Sequence, residues 1–245
     1  MYLFLHIGFE KTGSTSFQES WENLDPKELT CCNFAAQAEF ISPVSSSDLT
    51  TLICNKKTLG KLRRPKPDFL SELTKYLTQN RDKNILFSDE HISSRVLSTD
   101  EIHILKNILT IAGHQLIVLI VNRERDEWLR SKYAQAVKGG YYGSFIEYVN
   151  NGGARNTNEL ETEKTISLWR STEALVEELS YSKNIVNDLF LSIRRISNSN
   201  LPLPDFQYSS NSRLTTRKIE ILIQINKFFR RFDLIRKTLK RFIVK

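Results

Sequence analysis

Three short runs of apolar residues along the chain are continuous rather than alternating: Tyr2-Leu3-Phe4-Leu5-His6-Ile7, Asn84-Ile85-Leu86-Phe87 and Leu116-Ile117-Val118-Leu119-Ile120-Val121. Each closes on polar residues. Strands that are apolar on both faces belong to a parallel sheet with helices on either side. Helical spacing fills the gaps between them. Phe69, Leu70, Leu73, Tyr76 and Leu77 predict a helix over Asp68 to Gln79, set off by Pro65-Lys66-Pro67. Thr99-Asp100-Glu101 opens another, running through Ile102, Leu105, Ile108 and Leu109 to Ala112-Gly113, and Trp128 to Val137 makes a third that ends at Gly139-Gly140. A strand near Leu175 to Leu179 and a helix from Asn184 to Arg194 are expected farther on, whereas residues 30–64 lack periodicity and read as an irregular insertion. The predicted class is α/β: a three-layer fold with a central parallel sheet flanked by helices, followed by a C-terminal amphipathic helix.

The first run lacks a basic start and leads straight into a glycine-rich turn, so it reads as a strand and not as a secretion signal. The apolar run at 116–121 is too short to cross a bilayer. Cys31 and Cys32 are adjacent, Cys54 stands alone, and no Cys/His spacing suits a metal, so the expectation is a reducing, cytoplasmic setting with neither disulfides nor zinc.

The 35 Lys and Arg against 28 Asp and Glu give a formal charge of +7, but the excess is not spread along the chain. From Arg213 to Lys245 there are eleven basic and two acidic residues, which leaves residues 1–212 with 24 basic and 26 acidic ones. A nearly neutral body without aromatics set among basic residues argues against a nucleic-acid partner. The boundary expected from charge is therefore a body over 1–212 and a basic helix over 213–245.

The most informative stretch is Gly8-Phe9-Glu10-Lys11-Thr12-Gly13-Ser14-Thr15-Ser16, between the first strand and a helix that starts near Ser14. A strand, a glycine turn and a helix N-terminus present backbone N–H groups and the positive end of a helix dipole, which suit a phosphate. The glycines have the spacing of a nucleotide-binding P-loop. Ser14, however, stands where an ATP- or GTP-cleaving loop places its lysine, and the loop's own lysine, Lys11, comes before Gly13.

This segment, through Phe17 and Gln18, resembles the 5′-phosphosulfate loop of sulfotransferases that use 3′-phosphoadenosine 5′-phosphosulfate (PAPS), whose pattern is approximately Lys-Thr-Gly-Thr-Thr before a helix. Ser14 replaces the first of the paired threonines and keeps a hydroxyl. The resemblance implies a P-loop-like fold and cofactor contacts from Lys11, Thr12, Gly13, Ser14, Thr15 and Ser16. It also implies an arginine after a strand and a serine eight residues later, both on the 3′-phosphate; Arg123 and Ser131 match. Arg125 is a departure, standing where many relatives have proline or a polar residue. Surface pairing of Arg123 and Arg125 with Glu124, Asp126 or Glu127 is the plainer reading of that charged run.

Sulfuryl transfer needs a cation to offset charge on the bridging oxygen and a base for the acceptor hydroxyl. Lys11 suits the first role. For the second, bacterial carbohydrate sulfotransferases resembling this chain often carry Ser-x-Glu, matched by Ser88-Asp89-Glu90, which makes Glu90 the leading base with His91 and Asp89 as competitors. The acceptor class implied is a hydroxyl of a glycan or glycolipid, with residues 30–64 as an acceptor-side flap or a mere surface loop, and Arg213 as a weaker contact. No metal is required. His6 reads as a packed residue, His103 and His114 as surface ones, and Trp21, Trp128 and Trp169 as core or interface.

Two other classes remain open: a P-loop kinase or NTPase with an acidic strand end at Asp89-Glu90, and a non-enzymatic module recruited by its tail. In the tail, Ile221, Ile225, Phe228, Phe232, Ile235, Leu239 and Phe242 recur at spacings of four and three among Lys and Arg. Such a helix over 216–245 fits the anionic inner membrane surface, or else docks on the body or on a second copy in a homodimer.

Overall fold

The computed structural model describes residues 1–8, 12–36, 48–54, 67–96, 98–153, 162–204 and 214–228. Lys11, Arg213, the tail beyond Phe228 and most of the segment 30–64 lie outside the described residues. The chain forms two compact units, one over residues 1–122 and 158–208, the other over 123–157 and 209–245.

The first unit is α/β. Its elements are β1 (Tyr2–His6), α1 (Ser14–Glu22), α2 (Pro26–Cys31), α3 (Asp48–Ile53), α4 (Phe69–Gln79), β2 (Ile85–Ser88), α5 (His91–Arg95), α6 (Thr99–Leu109) and β3 (Gln115–Asn122). After residues 123–157 come α9 (Thr162–Arg170), β4 (Leu175–Ser180) and α10 (Ile185–Ser197), while α7 and α8 belong to the second unit. The four strands form one parallel sheet in the order β2-β1-β3-β4.

Period-two alternation explains why both strand faces are apolar. Leu3, Leu5, Ile7, Ile85, Phe87, Leu116, Val118 and Ile120 pack on one side against Leu49, Leu73, Leu77, Ile102, Leu105 and Trp169. Phe4, Leu86, Ile117, Leu119 and Val121 pack on the other against Phe17, Trp21, Leu29, Leu189 and Phe190. Each large side chain buried this way contributes roughly 1.5–3 kcal/mol of transfer free energy. Chain connections leave β1 toward β2 and β3 toward β4, in opposite directions, so the C-terminal ends of β1 and β3 flank the crevice where open α/β sheets bind ligands.

Two expectations change here. Within the segment read as irregular, residues 48–53 are helical, and Phe34 and Leu49 are fully buried. Phe34 forms a parallel bridge with Asn84. His114, expected at the surface, is buried because its Nε2 lies 3.1 Å from both the Asn80 and Lys83 carbonyls, holding the turn that leads into β2.

The second unit contains α7 (Arg125–Gly139), α8 (Phe145–Tyr148) with a π-turn over Val149–Gly153, and α11 (Thr216–Phe228). Glu124 caps α7 by accepting from the Asp126 and Glu127 amides, so this helix starts three residues before the expected Trp128. Leu222 is buried with Tyr133 and Val137, and Ile219 and Ile223 pack around them. Asn226, fully buried, donates to the Val137 and Tyr141 carbonyls at 2.8 and 2.9 Å. The face of α11 that packs is thus 219-222-223-226. The stripe expected from sequence is not the buried one: Ile221 is 42% and Phe228 80% exposed.

Candidate functional site

The site is built where β1 ends. Gly8 follows the strand, and a Cβ placed on it would stand 2.6 Å from both His6 Nε2 and Ser14 Oγ, so the backbone passes where no other residue fits. Gly13 has φ +90°, a left-handed conformation that turns the chain into α1, and a Cβ there would meet Ile185 Cγ2 at 2.9 Å. Phe17 N donates to the Gly13 carbonyl at 2.9 Å, the first bond of the helix. Gly13 supplies no side-chain cap to the first turn of α1. Thr12 and Ser14 are buried, Ser16 is half-buried and Thr15 is exposed.

His6 and Ser88 are partners in the β1–β2 register, so their side chains share a face of the sheet. His6 Nδ1 lies 2.8 Å from Ser88 Oγ, and Gln18 Nε2 donates to the same oxygen at 2.9 Å. Gln18 and Ser14 stand four apart in α1, which puts both on its inner face. His6 is fully buried against Phe17, ring centroids 4.9 Å apart, and burial lowers its pKa to about 3. Its Nε2 and the Ser14 Oγ are buried atoms without a hydrogen-bond partner among the described residues. Buried polar atoms are ordinarily paired, and these two border the same space beside Gly8. Sequence reasoning placed His6 correctly in the packing but missed the cluster it forms. A histidine closing an apolar strand just before a glycine turn was the available signal.

Of the candidate bases, Asp89 is buried and spoken for. Its carboxylate accepts from Thr50 N at 3.0 Å, Thr50 Oγ1 at 2.8 Å and His91 N at 3.0 Å. Burial nevertheless outweighs these bonds and raises its pKa to about 7. It pins α3 to the end of β2. Glu90 and His91 are only half-buried, at the start of α5, and the Glu90 carbonyl accepts from Ser93 Oγ at 2.8 Å.

In the second unit, the Arg123 side chain is 5% exposed and pairs with Glu127 at 3.5 Å, so the plain surface pairing is realised in part. Arg125 is exposed and begins α7, whose start is held by Glu124 despite the departure from proline. Two hydrogen bonds from the Asp126 and Glu127 amides lower the Glu124 pKa. Ser131 lies half-buried on the same helix. Nearby, Tyr133 packs its ring against Tyr141, Phe145 and Tyr148, and Arg130 stands 5.1 Å over Phe145.

Among the described residues no group of His, Cys, Asp and Glu is arranged to hold a metal ion, and no helix is long and apolar enough to cross a membrane. The chain matches no protein-family model, and a search of curated proteins finds no match to its sequence.

Proposed function

We propose that this chain is a PAPS-dependent sulfotransferase that transfers a sulfuryl group to a hydroxyl of a carbohydrate or glycolipid. The observation that carries the reading is the end of β1: a buried strand, a left-handed Gly13 and an uncapped α1 beside the unpaired Ser14 hydroxyl. A buried, unpaired hydroxyl at the start of a helix fits an oxyanion. Thr12, Gly13, Ser14, Thr15 and Ser16 would hold the 5′ end of the nucleotide. Arg123 and Ser131 take the 3′-phosphate by resemblance, and the carboxylate already paired with Arg123 is a chemical analogue of that phosphate.

When bound, PAPS supplies an activated sulfuryl group. Lys11 would offset the negative charge that builds on the bridging oxygen as the sulfur–oxygen bond breaks. Glu90 would take the proton from the acceptor hydroxyl as its oxygen bonds to sulfur, with His91 as its competitor for that role. Adenosine 3′,5′-bisphosphate and a sulfate ester are the products.

The exposure of Ile221 and Phe228 among basic residues supports a second part of this reading, attachment of the tail to an anionic membrane surface at the cytoplasmic face. Phase-separating flotation with anionic vesicles tests it: full-length protein should float and a chain ending at residue 215 should not.

The donor assignment is tested by calorimetry. Adenosine 3′,5′-bisphosphate should bind at micromolar concentration, and Lys11→Ala or Arg123→Ala should weaken it. Tighter binding of Mg-ATP than of the bisphosphate would overturn it in favour of a P-loop kinase or NTPase.

A further inference from the structure

At the end of the sheet where the strands begin, opposite the loop, Tyr2 of β1 and Gln115 of β3 are register partners, and Asn84 leads into β2. Together with Asn33 after α2, and with Asn198 and Asn200 after α10, they line a cavity of about 580 Å³. This volume is in the range of ligand cavities, and these residues all belong to the first unit. Among the described residues no charged side chain lines it. A bound ion of either sign would lack a counter-charge there, which leaves a neutral polar ligand.

Five side-chain amides on one cavity are the feature to explain. Asn33 and Asn198 have φ of +60° and +49°, a left-handed backbone that asparagine tolerates, so turn geometry accounts for their residue type. Asn84, 3% exposed, holds the start of β1 by accepting from Tyr2 N through Oδ1 at 3.0 Å. Gln115 and Asn200 serve neither purpose, and their side chains make no hydrogen bond among the described residues. Each amide offers a carbonyl acceptor beside an NH2 donor. A sugar hydroxyl also donates and accepts at once, so a wall of amides matches a ring of hydroxyls. The half-buried Tyr2 ring, 6.0 Å from Phe4 between centroids, adds an aromatic surface for the ring carbons. A nucleobase pairs with amides too, but it gains most from aromatic stacking, and Tyr2 is the one aromatic residue among the described lining.

We propose that this cavity binds a neutral sugar unit through Asn84 Nδ2, Gln115 and Asn200, with Tyr2 against the apolar side of the sugar ring. The backbone that carries these amides is fixed before a ligand arrives: Asn84 N donates to the Asn33 carbonyl and Ala35 N to the Asn84 carbonyl, both at 2.8 Å, and Gln115 N donates to the Met1 carbonyl at 3.0 Å. The site lies at the other end of β1 from the loop and does not depend on the sulfotransferase reading.

Nitrogen-15 spectra of the full chain, recorded with a panel of neutral mono- and disaccharides, test this through the side-chain amide signals of Asn84, Gln115 and Asn200. At least one sugar should move them with a Kd of about 1 mM or tighter. Gln115→Ala and Asn200→Ala, both at exposed positions, should each weaken that sugar roughly two- to ten-fold, the size of one neutral hydrogen bond. Lys11→Ala, in the loop, should leave its affinity unchanged. Sugar binding that Lys11→Ala weakens while the other two variants retain it would place the sugar at the loop and overturn the proposal. Adenosine binding more tightly than any sugar, a sulfated sugar binding more tightly than its neutral parent, or no shift across the panel would overturn it as well. The shifts are read on wild type and decide even where a variant does not fold.

Discussion

The amide of Asp89 donates to the carbonyl of His6 across 2.9 Å, which sets two fully buried titratable side chains on adjacent strand ends. Burial displaces them in opposite directions, His6 down to about 3 and Asp89 up to about 7. In both cases the neutral form is favoured, so between about pH 3 and 7 both side chains are mainly uncharged.

A dependence of stability on pH follows from these displacements. Asp89 binds its proton in the folded chain where the unfolded chain has released it, so its contribution is full below about 3.8 and is lost as pH rises through about 7. His6 does the reverse, its contribution being full above about 6.5 and lost as pH falls toward about 3. Asp89→Asn removes the first slope only. Relative to wild type, its unfolding free energy in urea should increase with pH between about 4 and 7, by at most about 1.4 kcal/mol per unit. A difference that stays constant across this window rules the assignment out.

Replacing Gly8 with alanine should disturb the site more than a surface change would. The new methyl meets His6 Nε2 and Ser14 Oγ at 2.6 Å in a packed region. A loss of about 1–3 kcal/mol in stability is expected, with bisphosphate affinity falling at least ten-fold. Urea unfolding and calorimetry on the same preparation check both; unaltered affinity would show that the space above Gly8 is not part of the anion site.

Glu90→Gln keeps the size of the side chain and removes its basicity. With nucleotide binding intact, the rate of sulfuryl transfer to a responsive acceptor should fall by about 10²–10⁴. A panel of oligosaccharides and lipids supplied with labelled PAPS measures it. Near-normal rates would exclude Glu90 and turn attention to His91.

Asn226→Ala leaves the Val137 and Tyr141 carbonyls without their shared donor in a buried position. The expected loss is about 1–3 kcal/mol, read as faster cleavage by a protease within residues 214–228. Asn226→Leu, which adds apolar volume but no donor, should not restore resistance.

Much of the first unit was legible from single stretches of chain. The runs ending at Ile7, Phe87 and Val121 became β1, β2 and β3 because a strand buried on both faces needs apolar residues at every position, a local property. The turn at Gly13 into a helix from Ser14 was legible for the same reason, since the glycine and the residues after it are consecutive. His114 was not, because its acceptors are the carbonyls of Asn80 and Lys83, some thirty residues earlier. The six-residue α3 has too few turns to show a period, and it is held by Thr50 on Asp89.

The tail makes the division clearest. By itself the chain determined that residues 216–228 would be helical and that its charge would be concentrated at this end, because both depend on neighbours in sequence. That helix is apolar on more than one side, so periodicity admits the stripe through Ile221, Ile225 and Phe228 as readily as the one through Leu222. Only the tertiary structure decided between them. The carbonyls of Val137, in the last turn of the helix Arg125–Gly139, and of Tyr141, just after it, both accept from the Asn226 amide, and burying that amide turns Leu222 inward and Ile221 and Phe228 out. Likewise, residue type alone placed a serine, a glutamine and a histidine in three separate elements, and it took the parallel register of β1 with β2 to make them one buried cluster.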